Sequence, residues 1–284
     1  MFGFLNVYKP RGLTSHDVVA RLRRITKIKQ IGHTGTLDPF AEGVLPVCIG
    51  KATRLIEYLA DDKAYEGTIQ FGSSTNTYDL EGEVVNTSQT KVTQEDVERA
   101  LNGFRGEIEQ IPPVFSAIKV NGKKLYEYAR KGEDVEVPSR KVTIYKLELL
   151  SFDEEIQQAR VLIECSKGTY IRSIANDLGE ALGVFGHLVK LVRVKAGFFE
   201  LDTTVDLDSL DLELVKNNLL EPLKVLNYST KEISERELSL VKNGMKLFAD
   251  GFAEGEFVLL TYESNLVSVA CFENGCLVQK KVFM

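Results

Sequence analysis

The succession of strand-like and helix-like segments in this chain is irregular, and that irregularity narrows the fold more than any other feature. Runs rich in Val, Ile, Leu and aromatic residues at 2–8, 44–49, 65–71, 141–152, 160–165 and 187–198 predict strands. Helices are predicted at 15–27, where Val18, Leu22 and Ile25 recur at helical spacing, and at 52–60, 93–101 and 170–182. Thr14 with Asp17, and Thr93 with Asp96, have the spacing of capping boxes, in which side chains satisfy the free backbone N–H groups of a helix start. A doubly wound parallel sheet needs strand and helix to alternate regularly. Here they do not, which predicts an α+β fold.

Two segments stand apart from this pattern. Residues 106–138 carry Pro112-Pro113, scattered Lys and Arg, and the aromatics Phe115, Tyr126 and Tyr128, and are expected to form an inserted hairpin or arm. After an acidic stretch from Asp202 to Glu221, glycine-punctuated strands at 257–260, 266–272 and 277–283 predict a small separate β module. The chain shows neither an internal repeat nor a low-complexity tract.

With 284 residues the chain can build one large core or two modest ones. No apolar stretch approaches the roughly 20 residues of a membrane span, and the first residues lack a signal-peptide layout, so a cytoplasmic location is expected. Cys48, Cys165, Cys271 and Cys276 form no CxxC pair. Cys48 and Cys165 lie in apolar runs and are expected to be buried, while Cys271 and Cys276 can approach across a hairpin but are not expected to form a disulfide in a cytoplasmic protein. His16, His33 and His187 are not at metal-ligand spacing, and no metal is expected. The net charge of −6 speaks against a nucleic-acid partner until its distribution is considered. Residues 202–284 hold 14 acidic against 8 basic side chains and account for the whole excess. Elsewhere, residues 9–54 carry 9 Lys and Arg against 3 Asp and Glu, and residues 119–146 carry 8 against 4. Two local basic clusters on an acidic chain permit RNA binding without requiring it.

The glycine-rich segment 32–39 suggests phosphate binding first, but it lacks the GxGxxG pattern. The nearby Gly50-Lys51-Ala52 has Leu45 where a P-loop needs its first glycine and Ala52 where it needs a hydroxyl. The residue that remains is Asp38, held toward an extended backbone by Pro39 and followed by a strand expected to be buried. An Asp-Pro pair in a loop is often no more than a turn former. A functional carboxylate needs a cationic partner and a surface for substrate, and the sequence offers Arg172, Tyr65 and Tyr170 only at a distance. Spacing alone does not bring them to Asp38.

The run Gly32-His33-Thr34-Gly35-Thr36-Leu37-Asp38-Pro39-Phe40-Ala41-Glu42-Gly43-Val44-Leu45-Pro46 closely resembles the GHTGxLDPxAxGxLP signature of the TruB family. Lys9-Pro10-Arg11-Gly12-Leu13-Thr14-Ser15 resembles that family's KPxGxTS element. Lys63-Ala64-Tyr65-Glu66-Gly67 is similar to its base-stacking tyrosine segment. The run 165–174, Cys165-Ser166-Lys167-Gly168-Thr169-Tyr170-Ile171-Arg172-Ser173-Ile174, is similar to its CSKGTYIRxI block, and 188–193 to the strand that follows. The blocks stand in family order and span residues 3–198, which makes the resemblance specific.

The resemblance implies a pseudouridine synthase fold: a central mixed, largely antiparallel sheet flanked by helices, plus a C-terminal PUA-like β module. It implies a catalytic domain at 1–226 with an RNA-binding arm at about 106–140, and the module at 227–284. The implied activity is isomerisation of uridine to pseudouridine at position 55 in the TΨC loop of tRNA. Asp38 matches the essential aspartate, Arg172 its paired arginine, and Tyr65 the residue on which the target base stacks. Tyr170, His33 and Leu191 match further substrate-binding positions. Breaking the N1–C1′ bond, turning the uracil and rejoining it through C5 involves no redox change and no released group, so neither cofactor nor metal is implied. Cleavage builds positive charge on the sugar, which one carboxylate beside C1′ stabilises, as in glycosidases. Attack of that carboxylate on C1′ and removal of a C2′ proton are both open to it. A tRNA partner contacted through the T-arm, no membrane, and a monomeric protein complete the expectation. An RNA-folding factor and a plain RNA-binding module are the competing classes.

Overall fold

The computed structural model describes residues 1–283. Its main element is a ten-stranded mixed sheet. The strands are β1 (Gly3–Lys9), β2 (Ile31–His33), β3 (Glu42–Ile49), β4 (Lys63–Phe71), β5 (Gly106–Gln110), β6 (Arg140–Asp153), β7 (Gln158–Cys165), β8 (Gly186–Ala196), β9 (Phe199–Glu200) and β10 (Val205–Asp206). Their order across the sheet is β10-β1-β3-β8-β4-β7-β6-β5, with β2 paired to β3 and β9 to β8. Only β1 with β10 and β3 with β8 run parallel. The expected α+β architecture, a largely antiparallel sheet with helices and a separate C-terminal module, is the one observed.

Strand β3 shows how the sequence builds this sheet. Its residues alternate between two apolar layers, as a period of two requires. Leu45, Val47 and Ile49 pack with Val18, Val19 and Leu22 of helix α1 (Ser15–Thr26). Val44 and Cys48 face the other way, into a core shared with the C-terminal module. Burial on both faces leaves the strand no solvated side, which is why it reads as a continuous apolar run. A third core lies beneath the other half of the sheet, where β4, β7 and β8 meet helix α2 (Gln94–Leu101) and helix α3 (Ile171–Ala181). Both expected capping boxes are present at the starts of α1 and α2.

Two expectations are corrected. The 52–60 helix is a 3₁₀ helix over Gly50–Tyr58. Its buried residues Ala52, Leu55 and Tyr58 recur every three positions, the period of the tighter helix, and an α-helix would have rotated them off the core. The arm begins later than residue 106, because Gly106–Gln110 pairs in register with Arg140–Ile144 at the edge of the main sheet. What projects is 111–139, with a two-residue hairpin (Lys119–Val120 with Lys123–Lys124) and the short helix Leu125–Ala129.

The C-terminal module is a five-stranded sheet built from Ser229–Glu232, Leu247–Phe248, Phe257–Tyr262, Asn265–Glu273 and Cys276–Val282. It docks on the 3₁₀ helix. Leu259, Leu266, Val269 and Phe283 enter the core of Val44 and Cys48, Tyr228 donates to the Tyr58 carbonyl, and Lys281 pairs with Glu57 at 2.9 Å. All four cysteines are buried and free.

Candidate active site

Asp38 sits in the loop between β2 and β3, and neighbouring elements fix that loop on several sides. Ser15, at the start of α1, grips Leu37 twice: its Oγ accepts from the Leu37 N–H at 2.8 Å and donates to the Leu37 carbonyl at 3.1 Å. Gly12 N–H and Lys9 Nζ both reach the Pro39 carbonyl, at 2.8 and 3.4 Å. Lys9 is fully buried, donates also to the carbonyls of Pro10 and Leu13, and burial lowers its pKa to about 8. From below, the fully buried Arg193 donates to the carbonyls of Val44 (2.7 Å), Thr36 (3.3 Å) and Gly35 (3.2 Å). Arg193 can stand there because β3 and β8 approach closely at Gly43. That glycine has φ +105°, and a Cβ on it would collide with the Arg193 carbonyl.

Arg172 comes from the first turn of α3, across the sheet. Its Nε lies 3.0 Å from Asp38 Oδ2, a close ion pair off the line of a hydrogen bond. Its Nη1 donates to Asp79 Oδ2 at 3.2 Å and to the Thr77 carbonyl at 3.1 Å, and its Nη2 to the Phe115 carbonyl at 3.2 Å. One guanidinium therefore joins two carboxylates and the base of the arm. The two acids differ. The Asp79 side chain is only 5% exposed and also accepts from Thr77 Oγ1 and the Glu81 N–H, whereas 35% of the Asp38 side chain opens to the cavity. Burial nonetheless pushes the Asp38 pKa above the ordinary aspartate value. Arg172 pulls it back, Asp79 pushes it further up, and Lys9 opposes.

Above Asp38 is a cavity of about 600 Å³. Tyr65, Tyr170, Arg172 and Leu191 line it with Asp38, as do Lys63 and the arm residues Phe115, Tyr126 and Arg130. Tyr65 lies on β4 beside Arg193 on β8; burial raises its pKa, and the Arg193 charge opposes that rise. Arg140 stacks on the Tyr170 ring at 5.6 Å, and Arg130 on the Tyr126 ring at 5.3 Å. The cavity has the size of a small-molecule site and combines aromatic walls with a few convergent charges, which suits one extruded nucleotide. His33 is not part of its lining. It is half-buried on β2, and burial and the charges of Arg193 and His16 lower its pKa.

Several residues of this site were not singled out by sequence. Lys9, Ser15 and Arg193 lay inside the recognised blocks, yet nothing in their types distinguished a loop clamp from a surface charge or a helix cap. Asp79 stood in a polar turn, where aspartate is ordinary. Only the crossing of that turn over α3 gives it a partner.

The chain matches two family models: the N-terminal domain of TruB family pseudouridylate synthase over residues 23–171, and the C-terminal domain of tRNA pseudouridylate synthase B over 172–226. It is 47% identical to tRNA pseudouridine synthase B of Oceanobacillus iheyensis over 256 residues, covering 87% of this chain and 84% of that protein. It is 42% identical to the same enzyme of Geobacillus thermodenitrificans, covering 95% and 94%. Among solved structures it resembles a chain of a Cbf5-Nop10-Gar1 complex, with TM-score 0.72, 26% identity, and coverage of 100% of this chain and 85% of that one. A chain of an H/ACA RNP bound to a substrate RNA containing 2′-deoxyuridine shares the fold, at TM-score 0.71 and 24% identity over 100% of this chain and 85% of that one.

Proposed function

Since this chain belongs to the TruB family of tRNA pseudouridine synthases and so isomerises uridine in tRNA, we propose that its target is uridine 55 of the TΨC loop and that Asp38 is its essential carboxylate. The observation that carries this reading is the Asp38–Arg172 pair at the floor of a nucleotide-sized cavity walled by Tyr65.

The uridine leaves the T-loop stack and enters the cavity, where the Tyr65 ring offsets part of the unstacking cost, about 1–3 kcal/mol per stacked base. Asp38 then faces C1′. As the N1–C1′ bond breaks, the sugar gains positive charge, and an anionic carboxylate at that point stabilises it. The uracil, still confined, turns and rejoins C1′ through C5, and the C5 hydrogen leaves as a proton. Arg172 keeps the carboxylate oriented and favours its charged form. Tyr170 and Leu191 close the cavity around the base, and His33, outside the cavity, meets a neighbouring nucleotide. Residues 1–226 act as the catalytic domain. The arm lies over the T-arm and contacts phosphates, which adds affinity without reading sequence. The module from 227 is a PUA-like RNA contact. The scheme needs no group from a second chain, in keeping with a monomer.

The test uses an unmodified tRNA transcript tritiated at uridine C5. Isomerisation at position 55 releases tritium, and a transcript with cytidine at that position releases none from there. A protein that only binds or refolds RNA exchanges no C5 hydrogen. Binding without release would move the reading to an RNA-folding factor.

A further inference from the structure

Gln110 closes β5 at the root of the arm and is only 1% exposed. A buried carboxamide is costly unless its donor and acceptor are both met. Here the backbone N–H and C=O of a single residue meet both. Gln110 Oε1 accepts from the Tyr170 N–H at 2.7 Å, and Nε2 donates to the Tyr170 carbonyl at 3.0 Å. Tyr170 is the residue from which α3 starts, and its own side chain makes no cap. The glutamine thus acts as one rung of a ladder, fixing the backbone two residues before Arg172. Two more bonds extend the connection: Ser173 Oγ donates to the Ile111 carbonyl at 2.8 Å, and Arg172 Nη2 to the Phe115 carbonyl at 3.2 Å. Residues 110–115 and 170–173 are joined at three places, with the cavity on one side and the arm on the other.

We infer that Gln110 is a positioning residue for the reaction: it sets the Tyr170 backbone, and through it the Arg172 guanidinium, against Asp38, and ties that register to the arm. The inference rests on the assignment of Asp38 and Arg172 made above. A loss of register of even an ångström costs about 100-fold in rate when the reacting groups are held by geometry. Gln110 is not among the residues that line the cavity, so its loss should act on turnover more than on RNA affinity.

Gln110→Met keeps length and volume and removes both bonds. Single-turnover tritium release should fall about 10- to 100-fold while tRNA affinity stays near wild type. The acid limb of its pH–rate profile should move upward, because Arg172 no longer holds the Asp38 charge as well. A purely structural glutamine would change the melting temperature and leave that limb where it is. Gln110→Glu keeps the accepting bond and the volume and serves where the Met variant does not fold. Its rate at pH 7.5 should lie between those of the wild type and Gln110→Met, or well below wild type if Met is lost. Folded Met and Glu variants with wild-type rate and an unmoved limb would overturn the inference, as would a rate loss matched by an equal loss of affinity. Absence of release from the wild type itself would overturn the functional reading, and the role of Gln110 with it.

Discussion

Arg172 holds Asp38 and Asp79 at once, its Nε 3.0 Å from the first and its Nη1 3.2 Å from the second, with only 6% of its own side chain exposed. The pairing is unequal. Asp79 is buried with three donors around it, while Asp38 has the guanidinium on one side and the open cavity on the other. One acid anchors the cation and the other is presented by it.

Replacing Arg172 by Lys keeps the charge but loses the planar fork that reaches both carboxylates. Arg172→Lys should therefore bind tRNA nearly normally and turn over far more slowly. Arg172→Met should be slower still and less stable, because Asp79 is left buried without its cation, a loss on the order of 3 kcal/mol. Adding Asp79→Asn to Arg172→Met should recover part of the melting temperature and none of the rate. Wild-type single-turnover rates in both Arg172 variants would retire the pairing as a catalytic arrangement.

Asp38→Asn should abolish tritium release while leaving tRNA affinity within several-fold of wild type. Its stability separates function from structure. Burial raises the Asp38 pKa in the folded state, so ionising this group opposes folding at any pH above the folded pKa, and the penalty vanishes below the ordinary aspartate value. At pH 7.5 the neutral asparagine should melt at the same temperature as wild type or higher. A marked drop in melting temperature would show that the carboxylate is there to make the turn.

The Asp38 loop was legible in sequence as a glycine-punctuated run, and β3 as a run too apolar for a one-sided strand. The strands, capping boxes and helices at 15–27, 93–101 and 170–182 followed from spacing alone, because periodicity and caps are local. The partners of Asp38 are not local. Arg172 was assigned through family resemblance, and Asp79, Lys9, Arg193 and Gln110 acquire their roles from strand order, since β8 lies between β3 and β4 and the arm root crosses the start of α3. The 3₁₀ helix escaped for a different reason: any two neighbouring members of Ala52, Leu55 and Tyr58 are three apart, a spacing that one turn of an α-helix also allows.

The direction of the Asp38 shift sets a pH dependence. The reactive form is the carboxylate, so single-turnover rate should fall as pH drops through a pKa lying above the usual aspartate value of about 3.9. Arg172 acts against that rise, hence Arg172→Met should carry the limb to higher pH. A limb at or below the ordinary value, in protein shown by circular dichroism to stay folded, would mean that Asp38 is not the titrating group.

Binding should weaken steeply with salt although the chain carries a net charge of −6. The arm presents Lys119, Lys123, Arg130 and Lys131 on its exposed surface. Of these, Lys123 already lies 3.8 Å from Glu133 and over the Tyr128 ring, so Lys119 and Lys131 are the better tests. A lysine that neutralises an RNA phosphate releases counterions and adds about 0.7–0.9 to the slope of log affinity against log salt. The double variant Lys119→Ala, Lys131→Ala should lower that slope by about 1.5 and weaken binding uniformly across tRNA sequences. Its single-turnover rate at saturating protein should match wild type, because neither lysine lines the cavity. An unchanged slope, measured by filter binding from low to physiological salt, would take the arm out of the RNA interface.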